Sequence, residues 1–365
     1  MGTTTETVSL ADVSSYLPKN RVAADYFARY ADPADNTSNA MFKSPPFRHH
    51  IAPGETPADM AEQAIAPMLE RRGSEFLSEV DVLIVHTQIP ELGIVGNGGE
   101  VAARLGLAPE WLIDLHNGGC VAFVYAMKIA RQLLLSSAAR AALIITVQNA
   151  AGQIFTQEQV RSKPQAAIPG DGAGVGLLVK SGESPILDVE ARHLPEYAGQ
   201  MTVLADPPRK YWEAGPGQMH VGFTESKIAK VLARGNRIVP EVAHAVCGRI
   251  GVRADELDLL VTNQPNRAFL RNWRDALQLP VDRHPDTFDE CGNLFAAGIP
   301  VTLDHAVRAG KVPAGSLLLL AGFAHAGDFA AAAPGGGGGA GGTRGMNPPH
   351  PRPPRSMKKK PYRGD

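Results

Sequence analysis

Cys120 is the residue whose setting points most directly to chemistry, because Asn117, Gly118 and Gly119 come just before it. A short apolar run of strand length leads into this turn, and an apolar pattern of helical period starts right after it. Glycine permits the positive φ angles of a sharp turn. We therefore expect Cys120 at a helix N-terminus, where unpaired N–H groups favour a thiolate and can hold an oxyanion. Cys120 is a candidate nucleophile for acyl transfer, with a buried structural cysteine as the alternative.

The composition argues against several classes of protein. The net charge of −1 over 365 residues gives no electrostatic case for binding nucleic acid. The three cysteines are too few and too scattered for a disulfide framework, and no cluster of cysteine and histidine predicts a metal site. The N-terminus lacks a signal-peptide pattern and no apolar run approaches transmembrane length, so we expect no membrane partner and a cytoplasmic location.

Strand and helix patterns alternate along both halves of the chain, which predicts βαβ units and an α/β fold with helices on both faces of the sheets. A helix is expected over residues 57–69, with Thr56 as N-cap and Pro57 at the first helical position. The two halves have similar length and order, which suggests an internal duplication. The predicted buried strands are residues 80–86, 141–147, 257–262 and 316–321.

Four further segments carry expectations of their own. Residues 168–179 read as a glycine-rich turn capped by Asp171 and leading into a strand, which is the wrong order for a dinucleotide fingerprint. A long helix over residues 223–247 should break near Pro240. Residues 47–56 are predicted to be a polar loop, and residues 322–327 a tight one.

Several stretches, taken in order, resemble the β-ketoacyl-acyl carrier protein synthase III family of thiolase-fold condensing enzymes. Any one of these motifs is weak, but their order and spacing together are specific, and the resemblance covers about residues 5 to 331. The stretches are residues 47–52 (Phe-Arg-His-His-Ile-Ala), the turn at Cys120 with Phe123 and Tyr125, residues 170–174, residues 263–266 (Asn-Gln-Pro-Asn), and residues 292–300.

The resemblance implies a five-layered α/β/α/β/α fold made of two duplicated halves, residues 1–182 with the nucleophile and residues 183–333. Residues 334–365 form a Gly-, Pro- and Lys/Arg-rich tail that we expect to be disordered. The resemblance also implies a homodimer, no tightly bound cofactor, and acyl-CoA or an acyl carrier protein as the acyl donor. Arg48, Asn266 and Arg267 would then contact the CoA or phosphopantetheine group.

One position departs from the family pattern, which places a histidine where this chain has Asn263, while Asn293 matches the family's asparagine. A carboxamide can hydrogen-bond to an enolate oxygen but cannot exchange protons near neutral pH as an imidazole does. His325 stands where the family has small residues near the oxyanion hole, so it is a candidate base, with a surface or dimer-contact histidine as the alternative. The predicted catalytic residues are Cys120, Asn263, Asn293 and His325.

These residues lead to an acyltransferase of the β-ketoacyl synthase III type, which loads Cys120 and passes the acyl group to a small-molecule acceptor. The expected setting is polyketide or other secondary-metabolite biosynthesis. Two alternatives remain open: a decarboxylative condensing enzyme acting on malonyl thioesters in fatty acid or polyketide initiation, and a non-catalytic thiolase-fold partner subunit.

Overall fold

The computed structural model describes residues 6–31, 42–91, 93–116, 118–196, 202–205, 208–210, 213, 219–222, 225–324 and 327–334. Within these residues the strands are β1 (Val8–Tyr16), β2 (Asn20–Ala23), β3 (Phe47–His50), β4 (Val80–Thr87), β5 (Trp111–Asp114), β6 (Ala141–Gln148), β7 (Gly172–Lys180), β8 (Asp188–His193), β9 (Thr202–Ala205), β10 (Met219–Gly222), β11 (Leu259–Thr262), β12 (Leu317–Ala324) and β13 (Gly327–Pro334). The helices are α1 (Asp25–Ala28), α2 (Pro57–Arg72), α3 (Gly98–Arg104), α4 (Ala122–Ser136), α5 (Glu225–Ile250), α6 (Arg267–Ala276), α7 (Phe288–Cys291) and α8 (Gly298–Arg308).

Two larger sheets form the centre of the fold. The first has the strand order β1-β7-β6-β4-β5, in which β4 runs parallel to β5 and β6, and β7 runs antiparallel to β1 and β6. The second has the order β11-β12-β13-β8, with β11 parallel to β12 and β13 antiparallel to both of its neighbours. The first sheet draws its strands from residues 8–180 and the second from residues 188–334.

The helices fill three layers around these sheets. One core cluster joins α4 and α8 to the inner faces of both sheets. A second packs α2 and α3 on the outer face of the first sheet, and a third packs α5 and α6 on the outer face of the second. The predicted five-layered α/β/α/β/α fold is therefore confirmed.

The central helix is apolar because it is enclosed by protein. Residues 119–136 are long and apolar enough, by length and composition alone, to cross a membrane, and 44% of them are buried inside the fold. The expectation that no run approaches that length is therefore wrong. Since α4 packs between two sheets, the pattern is that of a core helix.

Helix α2 begins as the sequence predicts. The Thr56 side chain accepts a hydrogen bond from the Asp59 N–H at 3.1 Å, and the Asp59 carboxylate accepts one from the Thr56 N–H at 2.7 Å. This reciprocal pair is a capping box, and Pro57 occupies the first helical position, where its missing N–H costs nothing. The helix runs to Arg72, three residues beyond the predicted end.

The glycine-rich segment also matches its interpretation. The buried Asp171 carboxylate accepts hydrogen bonds from the backbone N–H groups of Ile51, Ala151 and Gly152, at 2.8, 2.7 and 2.7 Å. The glycines then lead into β7, so the order is turn and strand, which is not that of a nucleotide-binding motif.

Three local expectations are wrong. Helix α5 continues through Pro240, because its buried Val239 and Val242 pack in the core under the second sheet and offset a proline cost of about 3 kcal/mol. Residues 47–50 form strand β3, paired with β2 in a hairpin. Residues 322–324 belong to β12, and Gly327 already begins β13, a strand for which the alanine-rich sequence gave no alternating signal.

Candidate active site

A cavity of about 250 Å³ opens at Cys120, between the inner ends of the two halves. Most of its wall is apolar, and five phenylalanines contribute to it. The polar groups are few and come from distant parts of the chain. The polar and sulfur-bearing residues of the wall are Gln88, Cys120, Gln165, Asn263, Asn266 and Asn293.

The turn before Cys120 depends on its two glycines. Gly119 has a φ of +47°, a conformation that residues with a Cβ rarely adopt, and a Cβ on Gly118 would lie 2.9 Å from Ala122. Cys120 itself lies in a 3₁₀ turn over Gly119–Val121, and Val121 is the N-cap of α4. The nucleophile candidate thus lies two residues before the first residue of the α-helix. Asn117 lies outside the described residues.

The environment of Cys120 opposes the thiolate that its place in the sequence predicts. Burial of the sulfur among apolar side chains raises the pKa of the Cys120 thiol to about 12, and the residue's own backbone N–H lowers it only in part. A low-dielectric wall disfavours the charged form, and this burial is the larger effect. This environment favours the neutral thiol of Cys120 over the thiolate at physiological pH.

This raised pKa makes a measurable prediction about alkylation by iodoacetamide. Because the thiolate is the reactive form, the labelling rate of Cys120 should rise about tenfold per pH unit between about pH 7 and pH 10, without the plateau of an ordinary cysteine of pKa ≈ 8.5. Rates are followed by peptide mass spectrometry, with Cys120→Ser as the blank. A rate that levels off below about pH 8 would show that the turn stabilises a thiolate after all.

The Asn263 side chain makes two hydrogen bonds to the backbone of a single residue in the second sheet. It follows β11 directly and is fully buried. Its Nδ2 donates to the Phe323 carbonyl at 3.3 Å, and its Oδ1 accepts from the Phe323 N–H at 3.1 Å. One N–H of the carboxamide is left for a ligand in the cavity. The side chain thus ties the loop after β11 to β12.

Asn293 is held by the glycine-rich segment. Its backbone N–H donates to the Ile168 carbonyl at 3.0 Å, and its carbonyl accepts from the Gly170 N–H at 3.1 Å. A Cβ on Gly170 would lie 1.9 Å from the Cys291 carbonyl oxygen, so only glycine allows this approach. The Asn293 Oδ1 accepts from the Phe295 N–H at 3.0 Å. The group that Asn293 can offer to the cavity is therefore its NH₂.

The three residues predicted to contact CoA or phosphopantetheine lie in different environments. Asn266 lines the cavity and is the N-cap of α6, with its Oδ1 accepting from the Phe269 N–H at 3.0 Å. Arg267 is half exposed and pairs with Asp289. Arg48 is fully buried away from this cavity, and burial lowers its pKa to about 10. Arg48 is therefore not among the residues that line the cavity at Cys120.

The Arg48 guanidinium makes hydrogen bonds to the described residues through only one of its nitrogens, Nη2. Its Nη2 donates to the Ser44 hydroxyl and, at 3.0 Å, to the Pro45 carbonyl, and its Cζ lies 4.8 Å from the centre of the Phe27 ring. These contacts fix the chain that leads into β3.

His325, the predicted base, lies outside the described residues. It follows Ala324, which lines the cavity at the end of β12. Gln88, by contrast, lines the cavity and was missed by sequence reasoning. The available signal was the change from an apolar strand to polar residues at 86–88.

Two family models match parts of this chain. The model for 3-oxoacyl-[acyl-carrier-protein] synthase III matches residues 113–194, and the model for its C-terminal part matches residues 247–333. Among curated proteins, the β-ketoacyl-[acyl-carrier-protein] synthase III of Alkalilimnicola ehrlichii is 29% identical over 310 residues, which is 85% of this chain and 93% of that protein. The enzyme of the same name from Xanthomonas euvesicatoria is 27% identical over 316 residues, covering 86% and 94%.

Solved structures share the fold. The β-ketoacyl-[acyl carrier protein] synthase III of Thermus thermophilus superposes with a TM-score of 0.78 at 24% identity, covering 90% of this chain and all of that one. Cerulenin-bound OleA of Xanthomonas campestris gives a TM-score of 0.75 at 17% identity, covering 92% and 99%.

Proposed function

We propose, from the premise that this chain belongs to the β-ketoacyl-[acyl carrier protein] synthase III family of condensing enzymes, that it transfers an acyl group through Cys120 to an acceptor. The acyl donor is acyl-CoA or an acyl carrier protein, and no tightly bound cofactor takes part. The observation that carries this proposal is the environment of Asn263, a neutral amide tied to the Phe323 backbone at the cavity wall.

Loading of Cys120 needs only groups that the cavity provides. The sulfur attacks the thioester carbonyl, a new carbon–sulfur bond forms, and the carrier thiol leaves with the proton that Cys120 gives up. Negative charge develops on the carbonyl oxygen, and backbone N–H groups at the turn before α4 can stabilise it. The apolar wall excludes water and so protects the thioester that results.

Decarboxylative condensation requires more stabilising groups in the site than acyl loading does. Loss of CO₂ from a malonyl thioester leaves an enolate, whose oxygen carries negative charge. Asn293 can donate from its NH₂, but Asn263 has one N–H already engaged and cannot supply a proton. We place the reaction in polyketide or other secondary-metabolite biosynthesis, because initiation of fatty acid synthesis needs the decarboxylative step that Asn263 weakens.

Transfer to an acceptor needs a base for the incoming hydroxyl, amine or thiol, and His325 is the proposed base because it directly follows the cavity-lining Ala324. The variant His325→Ala should leave acetyl loading of Cys120 from acetyl-CoA unchanged. It should slow transfer of that acetyl group to N-acetylcysteamine by about 10²-fold. Mass spectrometry of the intact protein follows both steps.

His244, which is exposed on α5, provides the matched control, and His244→Ala should transfer at the rate of the unmodified enzyme. Equal transfer rates in the two variants would remove His325 from the mechanism. Fast release of CO₂ and of β-ketoacyl product by the unmodified enzyme would favour the condensing alternative. A lack of any acyl adduct would favour the non-catalytic partner subunit.

We propose that the active form is a homodimer in which β5 of one chain pairs with β5 of the other. β5 is the edge strand of the first sheet, and Trp111 and Leu112 on it are 40% and 41% exposed. Exposed apolar strand edges are templates for pairing with another chain. Light scattering should give twice the mass of the chain, and Leu112→Lys should lower it toward one copy. A single-chain mass for the unmodified protein would contradict this assembly.

A further inference from the structure

The inner face of β4 changes from apolar to polar where it reaches the cavity. Val82 and Ile84 on this face pack in the central core with α4, and His86 follows at the same spacing. Gln88 comes directly after the strand, and its N–H still pairs with the Val147 carbonyl at 2.9 Å. The row of side chains therefore ends at Gln88, in the wall of the Cys120 cavity.

The neighbouring strand β6 makes the same change. Ala142 and Ile144 lie in the central core, and Thr146 and Gln148 follow on that face. His86 is the register partner of Thr146, so the next pair along the two strands is Gln88 and Gln148. Two glutamines thus end adjacent parallel strands on the side where α4 begins.

These side chains carry buried polar atoms without hydrogen-bond partners among the described residues. Gln148 is fully buried, and neither its Nε2 nor its Oε1 is paired. The Nδ1 atom of the buried His86 and the Oε1 atom of Gln88 are unpaired as well. Each buried polar group without a hydrogen bond lowers the stability of the fold by about 1–3 kcal/mol. A cluster of such groups is therefore expected to serve a function.

The protein fixes the backbone that presents Gln88. The Asn149 carboxamide accepts from the Ile89 N–H at 3.0 Å and donates to the Ile89 carbonyl at 2.8 Å. The Gln88 N–H also pairs with the Val147 carbonyl, so the backbone is hydrogen-bonded both at Gln88 and at the residue after it. A polar side chain on such a support is suited to positioning a ligand group.

The cluster carries no charge. The two glutamines are neutral, and burial lowers the pKa of His86 to about 4, so its imidazole is neutral at physiological pH. Neutral donors and acceptors in an apolar wall fit a neutral hydrogen-bonding group and disfavour a carboxylate or an ammonium.

We propose that Gln88 in the cavity wall, backed by the buried Gln148 and His86, forms a polar recognition patch that selects acyl groups with a neutral hydrogen-bonding substituent, such as a hydroxyl. The cavity is small, so a substituent a few bonds from the thioester carbonyl on Cys120 reaches its wall. This inference rests on the proposed function, in which Cys120 carries the acyl group. It adds the class of acyl group that the enzyme accepts.

The test compares 3-hydroxybutyryl-CoA with butyryl-CoA, two thioesters of equal chain length, as donors to Cys120. Intact-protein mass spectrometry gives the acylation rate with each. The unmodified enzyme should prefer the hydroxylated donor by about tenfold or more, because a site built to hydrogen-bond a hydroxyl rejects the analogue that lacks it. Gln88→Met keeps the length of the side chain and should abolish the preference.

Gln165 lines the same cavity outside the patch, so Gln165→Met is the matched control and should keep the ratio of the two rates. Equal rates, or a preference for butyryl-CoA, in the unmodified enzyme would overturn the proposal of a recognition patch. An unchanged ratio of the two rates in Gln88→Met would overturn it as well. Faster loading from succinyl-CoA than from either donor would overturn its neutral character. The absence of every adduct would overturn both this inference and the proposed function.

Discussion

Replacing Cys120 with alanine is expected to remove the acyl adduct completely, while the protein keeps its fold. The side chain lies in the cavity wall at a turn whose shape is set by Gly118 and Gly119, so the loss of one sulfur leaves that turn intact. No other sulfur lines the cavity within the described residues, because Cys247 and Cys291 are buried in other clusters. The measurement is intact-protein mass spectrometry after incubation with acetyl-CoA, with circular dichroism to confirm folding.

Cys247→Ala is the matched cysteine control. Cys247 lies on α5 in the outer core of the second sheet, so this variant should lose some stability and keep the adduct. An acetyl group that persists in Cys120→Ala, or disappears in Cys247→Ala, would show that the nucleophile has been assigned to the wrong residue.

Replacing Asn263 with histidine is expected to raise decarboxylation of malonyl-CoA by about 10²-fold, the lower end of the range for a general acid–base group. The imidazole would bring to the cavity wall a donor that exchanges protons, which the carboxamide cannot do. Stability should fall, since a single imidazole cannot keep both hydrogen bonds to Phe323, and the loss of one costs about 0.5–1.5 kcal/mol. Release of ¹⁴CO₂ from labelled malonyl-CoA, divided by the folded fraction, measures the effect.

Asn263→Ala separates the two consequences of this change. It removes both hydrogen bonds to Phe323 and adds no imidazole, so it should destabilise the protein without any gain in decarboxylation. If the unmodified enzyme already decarboxylates malonyl-CoA as fast as Asn263→His, then Asn263 does not limit the condensing reaction, and the acyltransferase proposal fails.

Local features of the site could be predicted because their physical causes are local. The turn at Cys120 follows from two adjacent glycines between a strand pattern and a helix pattern, and the start of α2 follows from a capping box within four residues. The wrong predictions also have identifiable physical causes. Pro240 is tolerated within α5 because packing outweighs its local cost, and β13 has an alanine-rich sequence without alternation.

The amino-acid sequence by itself determined the glycine turn that presents Cys120, the alternation of strands and helices in both halves, and the residue type at position 263. Only the tertiary structure decided what surrounds them. Asn263 meets the Phe323 backbone 60 residues away, and Asn293 pairs with the turn at residues 168–170. Burial by distant side chains raises the pKa of Cys120, against the local tendency of a helix N-terminus to lower it. Packing and desolvation sum over neighbours that are remote in sequence, so no local pattern of residues encodes them.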